Sequence, residues 1–143
     1  MEKLKLDYQL CFPIYALSRQ ITAMYRPYLE KLKLTYPQYL VMMVLWEHQK
    51  VSVKRLGELL YLDSGTLTPL LKRMAEHGWL SRERRAADER VVDIVLSAKG
   101  RDLQTQATNI PDALAEQMET SEEEFLDLRK QIRKILKSVE TKA

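Results

Sequence analysis

The apolar residues of this chain keep a helical spacing everywhere except in one stretch. Leu10, Ile14, Leu17, Ile21, Met24 and Tyr28 follow one another in steps of four, three, four, three and four, so they form one stripe of a long helix. Over 90–96 the period drops to two. Val92, Ile94 and Leu96 fall on one side there, and Val91, Asp93 and Val95 on the other. A chain with this pattern is mainly α-helical and carries one β-hairpin, with strands at 79–84 and 90–96 and a tip at 85–89. Only 4 Gly and 5 Pro punctuate 143 residues, which excludes a sandwich or barrel of many short strands.

Capping residues mark where the helices start. Thr35 is an N-cap, with Pro37 in the first turn and Gln38 reaching back as in a capping box. The run 39–46 is apolar on every side, as expected of a helix buried from several directions. Ser52 caps a short helix with Leu56, Leu59 and Leu60. A turn over 61–65 leads to another helix with Leu67, Leu70, Leu71 and Met74, and Gly78 ends it. Ser97 caps a helix expected to end near Pro111. Ser121 and Glu124 open a last one carrying Phe125, Leu128, Ile132, Ile135 and Val139. Two helices joined by a tight turn and followed by a hairpin are the parts of a winged helix-turn-helix. The expected organisation is a single domain, 1–143, with a DNA-binding region at 35–100. Residues 1–34 and 101–143 supply helices for dimerisation, because their apolar stripes need a second copy to cover them.

The length allows one domain, two at most. No apolar run approaches the ~18 residues of a membrane span, and the first residues lack the apolar core of a signal peptide. A soluble, cytoplasmic protein with no membrane partner is expected. The net charge of +3 is too small to indicate nucleic acid by itself. Its placement says more: Lys72, Arg73, Arg82, Arg84, Arg85 and Arg90 fall close together, either as a phosphate footprint or as a solvated helix face and hairpin.

Candidate DNA contacts follow from that arrangement. Ser64, Thr66, Thr68, Lys72 and Arg73 lie opposite the apolar stripe of their helix, where hydroxyls and cations can reach base edges and phosphates. Pro69 in the same helix either bends it or touches a thymine methyl. In the hairpin, Arg85 lies at the tip. Arg90 is placed to enter a narrow minor groove, with Asp88 holding its side chain.

The single cysteine, Cys11, excludes an intramolecular disulfide. It stands near the start of the first helix, which Pro13 marks, and the helix dipole there favours a thiolate. Tyr15 is one turn on, and Tyr25 and Tyr36 are candidates to donate hydrogen bonds to the sulfur. The residues alone leave a second reading open, that of a small buried hydrophobe among Leu10, Phe12 and Ile14.

Three stretches resemble the MarR family of dimeric repressors, and within it the organic hydroperoxide sensors. They are the run 60–74 with Asp63-Ser64-Gly65-Thr66-Leu67-Thr68-Pro69 at its centre, the wing pattern Asp88-Glu89-Arg90 through Ser97 and Gly100, and the opening Gln9-Leu10-Cys11-Phe12. The resemblance spans nearly the whole chain. It implies a homodimer on a palindromic duplex operator, with Cys11 as the peroxidatic cysteine, Tyr25 and Tyr36 holding its thiolate, and Tyr15 nearby. It further implies that an organic hydroperoxide oxidises Cys11 to a sulfenic acid, that a mixed disulfide follows, and that the operator is released. With no second cysteine in the chain, the resolving thiol is a low-molecular-weight one. Pro13 departs from the small or aliphatic residue the family suggests.

Other classes are less well supported. A MarR-type repressor governed by an aromatic or phenolic ligand is the main alternative, and a dimeric interaction module without DNA contact is another. No phosphate-cradling glycine loop, nucleophile elbow or metal-ligand spacing appears, and His48 and His77 stand isolated. Neither an enzyme nor a cofactor is expected.

Overall fold

The computed structural model describes residues 1–140. Two short 3-10 turns, Glu2–Leu4 and Leu6–Tyr8, lead into α1 (Cys11–Lys31). Pro13 is the third residue of α1, in the first turn, where a missing N–H leaves no intrahelical bond unmade. Next come α2 (Tyr36–His48), β1 (Lys50–Ser52), α3 (Val53–Leu60) and α4 (Ser64–Glu76). The wing is β2 (Leu80–Arg85) and β3 (Asp88–Leu96), followed by α5 (Ala98–Ala107), α6 (Ile110–Gln117) and α7 (Glu122–Glu140).

The caps stand where their side chains lead one to expect. Thr35 and Gln38 exchange two bonds: the Gln38 amide donates to Thr35 Oγ1 at 3.4 Å, and the Thr35 amide to Gln38 Oε1 at 2.9 Å. Ser52, Ser97 and Ser121 accept from the amides of Arg55, Gly100 and Glu124. Past α4, Gly78 at φ 79° lets its own amide reach Ala75 O at 2.9 Å, while the Trp79 amide reaches Met74 O. That closure needs a left-handed residue, and glycine takes it at no steric cost.

Three boundaries differ from the sequence reading. A third strand, β1, pairs antiparallel with β3 through Val51 and Ile94, giving the order β1-β3-β2. It is three residues long, too short to show a period. The hairpin tip is tighter than 85–89, because Arg85 pairs with Asp88 across a bulge after Arg84, so only Ala86 and Ala87 turn. Pro111 does not end the helix after Ser97. It stands in the first turn of α6, where proline is preorganised, and α5 has already stopped at Ala107.

By their contacts the residues form two units, Met1–Thr108 and Asn109–Ala143, whose last three residues, 141–143, lie outside the described part. The first unit holds a core of Val41, Met42, Leu45, Leu56, Leu67, Leu71, Met74 and Ile94, all fully buried. The α2 run is buried on several sides at Tyr39, Val41, Met42 and Leu45. The start of α5 is built into this core. Gly100 approaches the Trp79 carbonyl so closely that no Cβ fits, and its own carbonyl accepts Trp46 Nε1 at 2.9 Å. In α1 only Leu29 is buried, while Leu10, Ile14 and Leu17 of the stripe are exposed. In the second unit, α7 buries nothing, and Phe125, Leu128, Ile132, Ile135 and Val139 face solvent.

Candidate functional site

The polar face of α4 begins at its cap. Asp63 is the N-cap: its Oδ1 accepts the Thr66 amide at 2.7 Å, and this bonding holds the carboxyl below its usual range. Ser64 is thus the first helical residue. Burial of Leu67, Leu70, Leu71 and Met74 turns two neighbouring polar rows outward, Ser64-Thr68-Lys72 and Thr66-Pro69-Arg73, all exposed. The Thr68 hydroxyl donates back to Ser64 O at 2.8 Å, which fixes its rotamer and leaves its lone pairs outward. Pro69 removes the amide that would bond Gly65 O, yet α4 runs on to Glu76 because its four apolar residues are anchored in the core.

Beside this helix lies a groove of about 870 Å³ between α3, α4 and the wing. Ser64 and Thr68 line one wall, Lys54 stands on α3, and Arg82, Arg84 and Arg90 line the other wall. Arg84 is tied across the hairpin, donating to Glu89 O at 2.9 Å. Arg90 is held by Asp88 in three places: its amide and Nε donate to Oδ1, both at 3.1 Å, and Nη2 to Oδ2 at 3.3 Å. Those bonds pull the Asp88 carboxyl below its usual range. The Arg90 side chain is nonetheless 91% exposed, so its cation is aimed but not hidden. Arg85 behaves differently: its Nη2 and Nε donate to the two oxygens of buried Asp93 at 2.8 and 3.1 Å.

At the other end of the first unit, Cys11 is the first residue of α1 and is exposed. The buried-hydrophobe reading of this cysteine is therefore wrong for the single chain. Tyr15 lies one turn on, with the Arg19 guanidinium 5.4 Å from its ring centre. The phenols of Tyr25 and Tyr36 meet at 5.0 Å between centroids, and Tyr39 joins them at 5.6 and 6.4 Å. Burial, together with Tyr36 and Tyr39 alongside, pushes Tyr25 up to about 12, and burial raises Tyr36 as well, so both remain O–H donors.

Residues 23–106 match the family described as "Transcriptional regulator SarA/Rot". The organic hydroperoxide resistance transcriptional regulator of Bacillus subtilis (strain 168) is 45% identical over 141 residues, covering 99% of this chain and 96% of that protein. Reduced AbfR bound to DNA is similar in structure, with a TM-score of 0.80 at 33% identity over 96% of each chain. The disulfide-formed AbfR matches at 0.67, with 33% identity over 94% and 95%. This chain belongs to the MarR/SarA family of winged-helix transcriptional regulators.

As in its MarR/SarA relatives, regulation and not catalysis is the function. No helix among the described residues is long and apolar enough to cross a membrane. Of the residues expected at the site, this MarR/SarA-type chain gathers Ser64, Thr68, Arg85 and Arg90 around one groove, with Asp88 bonded to Arg90, and sets Thr66, Pro69, Lys72 and Arg73 on the adjoining helix face. It unites Tyr25 with Tyr36 but brings neither to Cys11 of the same chain. Fourteen residues of one helix separate Cys11 from Tyr25, about 21 Å at 1.5 Å per residue. Sequence reasoning missed Tyr39, which sits inside the apolar run of α2 and reads there as core. It also missed Asp93, which the alternation sets opposite Val92, Ile94 and Leu96 and which the structure buries.

Proposed function

We propose that this regulator is a cytoplasmic repressor that grips a palindromic duplex as a homodimer and releases it when an organic hydroperoxide oxidises Cys11. What carries this reading is the position of Cys11. It is the chain's one cysteine and is solvent-exposed at the first position of α1, in a protein 45% identical to an organic hydroperoxide resistance regulator.

On α4, Ser64, Thr66, Thr68, Pro69, Lys72 and Arg73 meet the major groove, where the helix N-terminus also favours a phosphate oxygen. Arg90, oriented by Asp88, reaches the flanking minor groove, whose negative potential suits a guanidinium presented on a rigid strand. The exposed stripes at the start of α1 and along α7 support pairing with a second copy, since apolar faces of this extent need cover.

The thiolate of Cys11 attacks one peroxide oxygen. The O–O bond breaks, the sulfur is oxidised to a sulfenic acid, and the other oxygen leaves as an alcohol after taking up a proton. A low-molecular-weight thiol then condenses with the sulfenic acid, forming a mixed disulfide and releasing water. Because about 21 Å of helix separates Cys11 from Tyr25 within one chain, the phenols that steady its thiolate come from the second copy. Oxidation breaks these cross-subunit hydrogen bonds and adds bulk at the seam. The two α4 helices then no longer keep the separation of one duplex turn, ~34–36 Å.

The direct test is Cys11→Ser. The variant is expected to bind operator duplex as the unmodified protein does and to hold it after cumene hydroperoxide and a small thiol are added. Release of the duplex from that variant refutes the sensing role.

A further inference from the structure

Asp93 is the only charged residue buried among the described ones, with 4% of its side chain exposed, and neither the thiol chemistry nor the reading helix uses it. It lies on the central strand of the sheet, directly opposite Glu83 on β2, and two carboxylates facing each other across a strand pair repel. Cations from both flanking strands offset this. Arg85 on β2 grips both oxygens at 2.8 and 3.1 Å, and Lys50 Nζ on β1 lies 3.7 Å from Oδ2. The fork-to-fork geometry is the strongest pairing a guanidinium makes, and it holds the Asp93 carboxyl below its usual range. Arg85 borders the same groove as Arg82, Arg84 and Arg90, but the carboxylate that fills its fork is buried and its side chain is 50% exposed, whereas the Asp88 that holds Arg90 is itself accessible and leaves that cation far more open.

We propose that Asp93 is a positioning residue for DNA binding: from its buried place in the sheet it occupies the fork of half-exposed Arg85, withholds that cation from the duplex and leaves Arg82, Arg84 and Arg90 as the wing's DNA-facing arginines. The assignment rests on the reading of the wing as a DNA-contacting element. It has a consequence opposite to that of a merely structural carboxylate. Neutralising Asp93 frees a guanidinium at the rim of the groove, so the protein should gain a phosphate contact.

The measurement is the slope of log K against log salt for a short fluorescein-labelled duplex of mixed sequence, read by anisotropy with the full chain. Each phosphate contact adds about 0.9 to the slope, so Asp93→Asn should steepen it by about 1.8 for a dimer. Arg85→Gln alone should keep the wild-type slope, and Asp93→Asn combined with Arg85→Gln should return to it. Loss of folded protein lowers binding amplitude without steepening the slope. An unchanged slope in Asp93→Asn, a shallower one in Arg85→Gln, or a steep one persisting in the double variant overturns the assignment. If Asp93→Asn does not fold, the Arg85→Gln slope decides alone. Wild-type protein with no salt-dependent affinity would sink the DNA reading itself, an outcome distinct from these.

Discussion

Dimers assembled from two different chains should reveal whose tyrosines hold whose sulfur. Cys11 and Tyr25 lie fourteen residues apart on the unbroken α1, about 21 Å along its axis, whereas a hydroxyl that bonds a sulfur must come within ~4 Å. No side-chain rotamer closes that gap. A hydrogen bond to a charged group is worth ~1.5–3 kcal/mol, so loss of the Tyr25 phenol should cut reaction at the sulfur it serves by roughly tenfold to a hundredfold. In one mixed dimer, Cys11→Ser is on one chain and Tyr25→Phe on the other. If service is across the interface, the remaining Cys11 still meets an intact Tyr25, and its oxidation rate matches a wild-type site. In the other, one chain carries both substitutions and the second carries none. There the only Cys11 meets a phenylalanine and is slowed. Tagging the two chains differently allows purification of each mixed dimer, and sulfenic acid formed by cumene hydroperoxide is counted by mass spectrometry. Equal rates, or the reverse order, refute the argument from helix length.

Three further outcomes are expected. Gly100→Ala should destabilise the first unit by about 3 kcal/mol or prevent folding, because the added methyl meets the fixed Trp79 carbonyl and not a yielding side chain; urea unfolding measures it, and a loss under ~1 kcal/mol contradicts the packing. Tyr25 ionises near 10 when unfolded and about 12 when folded, so the folded state holds the extra proton between those values. Its contribution to stability is thus complete below pH 10 and is lost as pH rises from 10 to about 12. Phenolate absorbance together with circular dichroism should show this loss, and Tyr25→Phe should lessen it, the remainder coming from Tyr36 and Tyr39, which burial also raises. Arg90→Ala should make the salt dependence of duplex binding shallower by about 1.8, one contact from each copy; an unchanged slope would remove Arg90 from the contact surface.

Much of the architecture was legible from local chemistry. The caps at Thr35, Ser52, Ser97 and Ser121, the glycine stop at Gly78 and the period change after it depend on bonds or spacings between residues close in the chain. The polar rows of α4 were legible for the same reason, since four apolar residues at helical spacing leave the opposite face to water. What joins distant residues was not. The three residues of β1 became a strand only because β3 offered a free edge, and Asp93 was buried only when Lys50 and Arg85 arrived from either side. The cysteine and the tyrosines could each be named from the sequence. That Cys11 and Tyr25 lie far apart on one helix follows from the continuous rise of α1 between them, a length that composition and periodicity suggest and only the folded backbone makes definite.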